Sequence, residues 1–382
     1  MKKIIYVTGS RAEYGVMRNL LAKLDKDSDF ELSLIITGMH LMKEFGNTID
    51  EIKKDNLKIA AEVDMKLADN TNAGMSKALA YGILGMTDAL TKYKPDLVML
   101  TGDRGEMLAA AIAAVHLNIP IAHISGGDTT TGASVDERIR HALTKFADIH
   151  FPANENSAKK IIEMGENKRY VFPVGNPGIP LKYEINDKRK KEIAKKYKLD
   201  ITKPIVLVIQ HPVTTQVTES AAQMKETMEA VMQLKMQTIV IYPNSDAGSK
   251  EMIKVIHSYE DIKFIQIHKN INRDDFQDIM TLSSVLVGNS SCALLEAPSF
   301  NLPSVNIGIR QEGREHSSNI INAPHNKNEI IKAIKIAMTP SFRNKVIKSQ
   351  SPYAKKNPED TIIKILKGLD FQKVITEKFN HD

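Results

Sequence analysis

SSVLVGNSSCALLEAP, residues 283–298, runs from an apolar, β-branched stretch through Gly-Asn-Ser-Ser into helix-forming residues. A strand, a small polar turn and a helix in direct succession are the building unit of a parallel α/β sheet. The turn itself has two readings. Ser and Asn are favoured N-caps through local hydrogen bonding alone. A helix start made of small residues also leaves backbone N–H groups free and turns the helix dipole toward an anion such as a phosphate.

Working outward, the same unit recurs along the chain. KIIYVTG (3–9), ELSLIITG (31–38), PDLVMLTG (95–102), IPIAHISG (119–126), ADIHFPA (147–153) and YVFPVG (170–175) punctuate the first half. PIVLVIQH (204–211), QTIVIYPN (237–244), IKFIQIH (262–268), SVLVGNS (284–290) and PSVNIG (303–308) punctuate the second. Continuous apolar strands separated by helical segments predict parallel sheets covered on both faces. The 382 residues exceed one typical core and predict two domains. The Gly- and Pro-rich stretch GNPGIPLKYEIND (175–187) marks the break, giving domains 1–177 and 178–360, with the apolar helix near 361–382 packing back on the first.

Ligands of parallel α/β sheets bind outside the carboxyl ends of the strands. Those ends read TGSRAEYG, TGMH, TGDRGEM, HISGGD, IQHP, YPNSDAGS and GNSS. Arg, His, Asp and Gly thus gather at one edge of each sheet, and two Rossmann-like domains facing each other are expected to line one cleft with them.

Composition narrows the chemistry. The single cysteine, Cys292, leaves no internal disulfide and reads as a buried, inert thiol. No apolar run approaches the roughly 18 residues that span a bilayer, and Ile4–Val7 is too short for a secretory core, so a cytoplasmic location is expected. The net charge of +6 suits a diphosphate as well as nucleic acid. The basic run KRKKEIAKKYK (188–198) has helical spacing and reads as a solvated face, and aromatics at 5% without tryptophan speak against a base-stacking platform. Neither GxGxxG after a strand nor GxxxxGK[ST] nor HExxH occurs, and the histidines lack metal-ligand spacing. Carboxylate, histidine and arginine chemistry on a phosphorylated ligand remains. In SVDERIRHALTKFAD (134–148), an amphipathic helix, Asp136 and Arg140 are four apart on one face. A surface ion pair worth little is the plain reading of that spacing; its position directly after HISGGDTTTG turns the face toward the strand ends.

Taken in order, SRAEYG, TGMH, GDRGEM, HISGGD, VDERIRHALTK, QHPVT, YPNSDAGSKEM, GNSSCALLEAPS and NIGIRQEGRE resemble the hydrolysing UDP-N-acetylglucosamine 2-epimerases of sialic acid biosynthesis. The resemblance implies a GT-B-like fold of two Rossmann-like domains with an interdomain active-site cleft. It implies loss of UDP from C1 with removal of the C2 proton, then addition of water to the glycal, giving N-acetylmannosamine and UDP. The partner implied is a UDP-linked sugar, the assembly a homodimer or homotetramer, and neither metal nor other cofactor is required; nucleic acid and membrane are not expected partners.

Carried over residue by residue, the resemblance implies that Ser290 and Ser291 hold the diphosphate and Glu296 accepts from the ribose hydroxyls. Arg11 and Arg314 neutralise phosphate, and Asn244 contacts the nucleotide. Glu13, His40, Arg104, Glu106 and Arg310, in the same motifs, are implied substrate contacts. Asp103 and Asp136 match carboxylates at the sugar, His211 matches a histidine beside the departing diphosphate, and Arg140 and His141 orient the carboxylates. Many relatives carry a carboxylate or histidine at the third place of HIxGG and Glu after it, where this chain has Ser125 and Asp128. Asp128 is a methylene shorter, which leaves the sugar open between N-acetylglucosamine and the 2,4-diacetamido-2,4,6-trideoxy sugar of legionaminic acid synthesis.

Three rivals share the scaffold. A retaining GT-B glycosyltransferase often places a second Glu eight residues from the ribose Glu, where this chain has Gly288 and Ser304. A non-hydrolysing epimerase carries HxEAG, absent here. A non-catalytic nucleotide-sugar sensor has no use for Asp103, Asp136 and His211 together.

Overall fold

A computed structural model describes residues 1–46, 48–67, 69, 71–132 and 135–378. The chain divides into two compact units, one of Met1–Thr129, Val135–Ile179 and Tyr353–Asp382, the other of Thr130–Ser134 and Pro180–Pro352.

The first unit is built on a six-stranded sheet of β1 (Lys2–Thr8), β2 (Phe30–Thr37), β3 (Ile59–Val63), β4 (Leu97–Thr101), β5 (Ile121–Ile124) and β6 (Ile149–Phe151). Every pairing is parallel and the order is β3-β2-β1-β4-β5-β6. The second unit repeats the plan with β7 (Ile205–Ile209), β8 (Gln237–Ile241), β9 (Ile265–His268), β10 (Val285–Gly288), β11 (Ser304–Ile307) and β12 (Ile320–Ala323) in the order β12-β11-β10-β7-β8-β9. Counted from its own first strand, each sheet runs 3-2-1-4-5-6, the Rossmann order. The order reverses between β1 and β4 in one unit and between β7 and β10 in the other, and there the connecting helices leave on opposite faces and open a crevice.

Period-two alternation explains why such strands read as unbroken apolar runs. Ile4 and Tyr6 of β1 join one core while Ile5 and Val7 join the core on the other face. In β7, Val206 and Val208 face one core and Ile205, Leu207 and Ile209 the other. Central β4 and β7 are buried at every position.

Two strands escape the sequence pattern and one expected strand is not regular. β3 (IAAEV) and β12 (IINA) lie at sheet edges and are only partly buried, so they lack an apolar run. YVFPVG forms a 3-10 turn at Lys168–Tyr170 and a lone bridge from Val171 to His150 rather than a strand. Pro173 has no N–H to give a ladder.

The chain returns to the first unit in helix Pro358–Gly368, whose Ile362 and Leu366 share a core with Tyr14, Met17, Leu20, Leu21 and Leu24 of helix Arg11–Asp25. Lys2 Nζ donates to the carbonyls of Leu366, Lys367 and Leu369 at 2.7, 2.9 and 2.7 Å, capping the C-terminal end of the helix with a cation. No helix of the described residues is long and apolar enough to cross a membrane.

Leu366→Ala removes a fully buried side chain from this seam. It is expected to lower the unfolding free energy in urea by about 2–5 kcal/mol, the usual cost of such a cavity. A loss below about 1 kcal/mol would show the returning helix to be dispensable for the core.

Candidate functional site

At the switch point of the first unit, Ser10 and Glu13 form a capping box at the start of helix Arg11–Asp25. Glu13 Oε2 accepts the Gly9 and Ser10 N–H groups at 3.0 and 3.2 Å, and Ser10 Oγ accepts the Glu13 N–H at 3.5 Å. Arg11, at the same helix start, is half-buried. Across the switch point, Glu106 sits 3% exposed beside Arg104, whose Nε lies 3.4 Å from its carboxylate. The room for Glu106 comes from glycine. A Cβ on Gly38, which lies at φ +59°, would stand 2.6 Å from Glu106 Oε1. Burial, and after it the negative charge of Glu106, pushes the Glu13 carboxyl well above the usual range. His40 is fully buried, with Nε2 3.0 Å from Thr8 Oγ1 and Nδ1 2.7 Å from Thr48 Oγ1. Burial pushes its pKa down to about 3, so the ring is neutral and both nitrogens are engaged by hydroxyls.

Arg140 organises the carboxylates. Its side chain is 2% exposed, and a buried guanidinium must be paired. Nε donates to Asp103 Oδ2 at 2.9 Å and a terminal nitrogen meets the same oxygen. The other terminal nitrogen donates to the Asp128 carbonyl at 3.1 Å and to Glu137. Glu137 also faces His141, with Oε1 2.8 Å from Nε2. Glu137 has no role assigned by the motif resemblance, although its spacing of three from Arg140 and four from His141 places all three on one helical face. Asp136 stands half-buried in the first turn of the same helix, Val135–Phe146. The Asp128 carboxylate is buried and accepts from the Tyr353 hydroxyl and the Thr129 N–H.

In the second unit Asn289 joins the ends of β7 and β10. Its Oδ1 accepts the His211 N–H at 2.7 Å and its Nδ2 donates to the His211 carbonyl at 2.9 Å. A side-chain amide is both donor and acceptor, so it closes this reciprocal pair as a strand would. Gly288 precedes it at φ +135°, where a Cβ would stand 2.0 Å from the Ile209 carbonyl oxygen. His211 Nδ1 accepts the Asn244 N–H at 3.0 Å. That nitrogen therefore carries no proton, and in the neutral ring Nε2 is the donor.

The helix after the turn is only Cys292–Leu295, followed by a 3-10 turn at Ala297–Phe300. One turn gives little macrodipole, and Ser291 at its start makes no side-chain cap. Side-chain capping therefore does not account for Ser291. Buried Ser290 accepts from the Cys292 thiol at 3.2 Å. The cations come from other segments. Arg273 reaches Glu296 at 2.5 Å, Arg310 donates to the Asn289 carbonyl at 3.4 Å, and Arg314 donates to Gln311 at 3.0 Å. Gln311 also donates to the Asn289 carbonyl, at 3.1 Å. Arg273 carries no motif signal before folding, and Gln311 stands in NIGIRQEGRE, where the resemblance assigns it no role. Thr131 N–H, in the short 130–134 segment of this unit, donates to the Glu312 carbonyl at 2.7 Å. Among the described residues no three His, Cys, Asp or Glu side chains are grouped to hold a metal ion.

A sequence model of the family described as UDP-N-acetylglucosamine 2-epimerase matches residues 22–367. The chain is 38% identical over 380 residues, all of its length and 99% of the relative's, to a UDP-N,N'-diacetylbacillosamine 2-epimerase (hydrolyzing) of Legionella pneumophila. It is 35% identical over 370 residues, 96% of its length and 94% of the relative's, to polysialic acid biosynthesis protein P7 of Escherichia coli. The fold superposes on the crystal structure of UDP-GlcNAc 2-epimerase from Neisseria meningitidis bound to UDP-GlcNAc with a TM-score of 0.80, at 19% identity, covering 96% of this chain and 100% of that one. The fold is GT-B-like, with two Rossmann-like units. A family match over most of the chain, with full-length identity at this level, settles the kinship: the chain belongs to the UDP-N-acetylglucosamine 2-epimerase family, and within it resembles the hydrolysing enzymes.

Proposed function

We propose that this enzyme converts a UDP-linked 2-acetamido sugar to UDP and the free manno-configured sugar. The observation that carries the reading is the pairing of Asp103 with buried Arg140 at the β4 end of a switch point, in a chain so similar to a hydrolysing relative. Asp103, Asp128 and Asp136 do the proton chemistry. A carboxylate takes the proton from C2, the C2–H electron pair forms the C1=C2 bond, and the C1–O pair leaves with UDP. Water then adds at C1 of the glycal and a proton adds to C2 from the opposite face. The oxygen of water becomes the anomeric hydroxyl, so atoms and charge balance without a redox step.

The second unit holds the nucleotide. Ser290 and Ser291 donate to the diphosphate, Arg310 and Arg314 neutralise it as bidentate donors, and Glu296, set by Arg273, accepts from the ribose. With Nδ1 occupied by the Asn244 N–H, His211 acts through Nε2–H as a donor to the departing diphosphate. Arg11, Glu13, His40, Arg104, Glu106, His141 and Asn244 shape the surroundings. The substrate class includes N-acetylglucosamine and its 2,4-diacetamido-2,4,6-trideoxy relative, the manno product being N-acetylmannosamine in the first case. The product feeds nonulosonic acid synthesis.

Reaction in deuterium oxide is expected to place deuterium at C2 of the free sugar, read by NMR, whereas direct hydrolysis of the anomeric bond leaves C2 untouched. Asp103→Asn and Asp136→Asn should each slow turnover by roughly 100-fold or more, the scale of one lost acid or base, with UDP affinity retained. Product with only hydrogen at C2 would defeat the elimination, and Asn variants of normal speed would defeat the residue assignment.

His211→Asn should lower kcat by about 100-fold or more, the scale of one lost donor at a developing charge. His211→Gln, whose amide nitrogen reaches the place of Nε2, should retain measurably more activity. Equal losses in the two variants would contradict the donor role.

Replacing Ser290 and Ser291 together by Ala should weaken UDP inhibition, each lost hydrogen bond to a charged group costing about 1.5–3 kcal/mol. An unchanged inhibition constant would remove the serines from the diphosphate site.

A further inference from the structure

Tyr353 belongs to no motif of the sequence, yet it stands where the chain re-enters the first unit. Its side chain is among the largest that are fully buried. The hydroxyl lies 3.1 Å from Asp128 Oδ1 and 3.4 Å from Oδ2, and so donates across both carboxylate oxygens. The two residues are 225 apart in sequence. The Thr129 N–H donates to the same Oδ1 at 3.2 Å, and Arg140 holds the Asp128 carbonyl at 3.1 Å.

The same strip of chain fixes the other end of the Ser125–Asp128 turn. The Tyr353 carbonyl accepts the Asn176 N–H at 2.8 Å, and Asn176 Nδ2 donates to Ser125 Oγ at 3.1 Å. Ser125 lies at φ +63°, a conformation that L residues adopt only where surroundings impose it. Both ends of the turn that carries Asp128 are therefore tied to residues 176 and 353.

We propose that Tyr353 is a positioning residue for Asp128: its hydroxyl, donating to both oxygens, fixes the plane of the carboxylate from which Asp128 acts on the sugar. The inference rests on the reading of Asp128 as a group that handles a proton of the substrate. A buried phenol that only fills space would serve equally well as phenylalanine. A phenol that orients a reacting carboxylate would not, because misplacement by about 1 Å costs on the order of 100-fold in rate.

The test uses the full chain with Tyr353→Phe, Asp128→Asn and the double variant. UDP release is measured from UDP-N-acetylglucosamine and from its 2,4-diacetamido relative, and active sites are counted by UDP titration. Tyr353→Phe is expected to lower kcat per UDP-binding site by about 10- to 100-fold with KM and UDP affinity within about twofold. The isotope effect on kcat/KM with substrate deuterated at C2 should rise, since proton transfer becomes slower relative to the other steps. In the Asp128→Asn background the same change should have no further effect.

An unchanged kcat per site, an unchanged isotope effect, or a full additional loss in the double variant would overturn the positioning role. A lower melting temperature with normal turnover per site would show that the phenol serves packing alone. If Asp128→Asn itself is as fast as the parent, or the parent releases no UDP from either sugar, the reading of Asp128 fails first and the inference falls with it.

Discussion

A parallel strand covered by helices on both faces can show polar groups only at its ends, and this constraint shapes both units. β4 and β7 have no exposed position and carry no charged residue, and the charged and polar residues of the motifs follow their carboxyl ends. Asp103, Arg104 and Glu106 follow β4, and His211 follows β7. The polar chemistry of the chain is thus concentrated by exclusion from the sheet. The strand order then decides which ends are neighbours.

Concentrating charge in a buried edge has an electrostatic cost, and Arg140 meets it in the first unit. One guanidinium at 2% exposure serves Asp103, Glu137 and the Asp128 carbonyl. Removing either side of such an arrangement leaves an uncompensated buried charge, which is worse than never having buried the pair. The carboxylates and the arginine consequently form one charged network, and Glu137 links it onward to His141. Tyr353 extends the same logic to Asp128 with a neutral donor.

The second unit gathers its cations around the end of β10 without a long helix. Its turn helix has a single turn and little macrodipole, and the positive charge near that turn is carried by side chains such as Arg310. Asn289 makes this possible by locking the ends of β7 and β10 together while its carbonyl receives Gln311 and Arg310. The serines of the turn are then presented from a fixed backbone.

Much of this was legible before folding. Alternation of apolar strands and helices fixes the α/β class, and Asp103, Asp128, Arg140 and His211 stand in motifs that carry the family resemblance. Apolar runs mark the central strands because burial on both faces demands them. The same signal fades at edge strands β3 and β12, which are partly exposed, and misleads at YVFPVG, where Pro173 cannot join a ladder. Periodicity along a chain reports which face a residue takes, not which distant residue it meets. Only the tertiary structure therefore decided that β1 adjoins β4 and β7 adjoins β10, that Arg140 serves Asp103 across 37 residues, and that Tyr353 reaches Asp128 across 225. Those partners are set by the path the backbone takes when both faces of each sheet are buried, and no local spacing encodes that path.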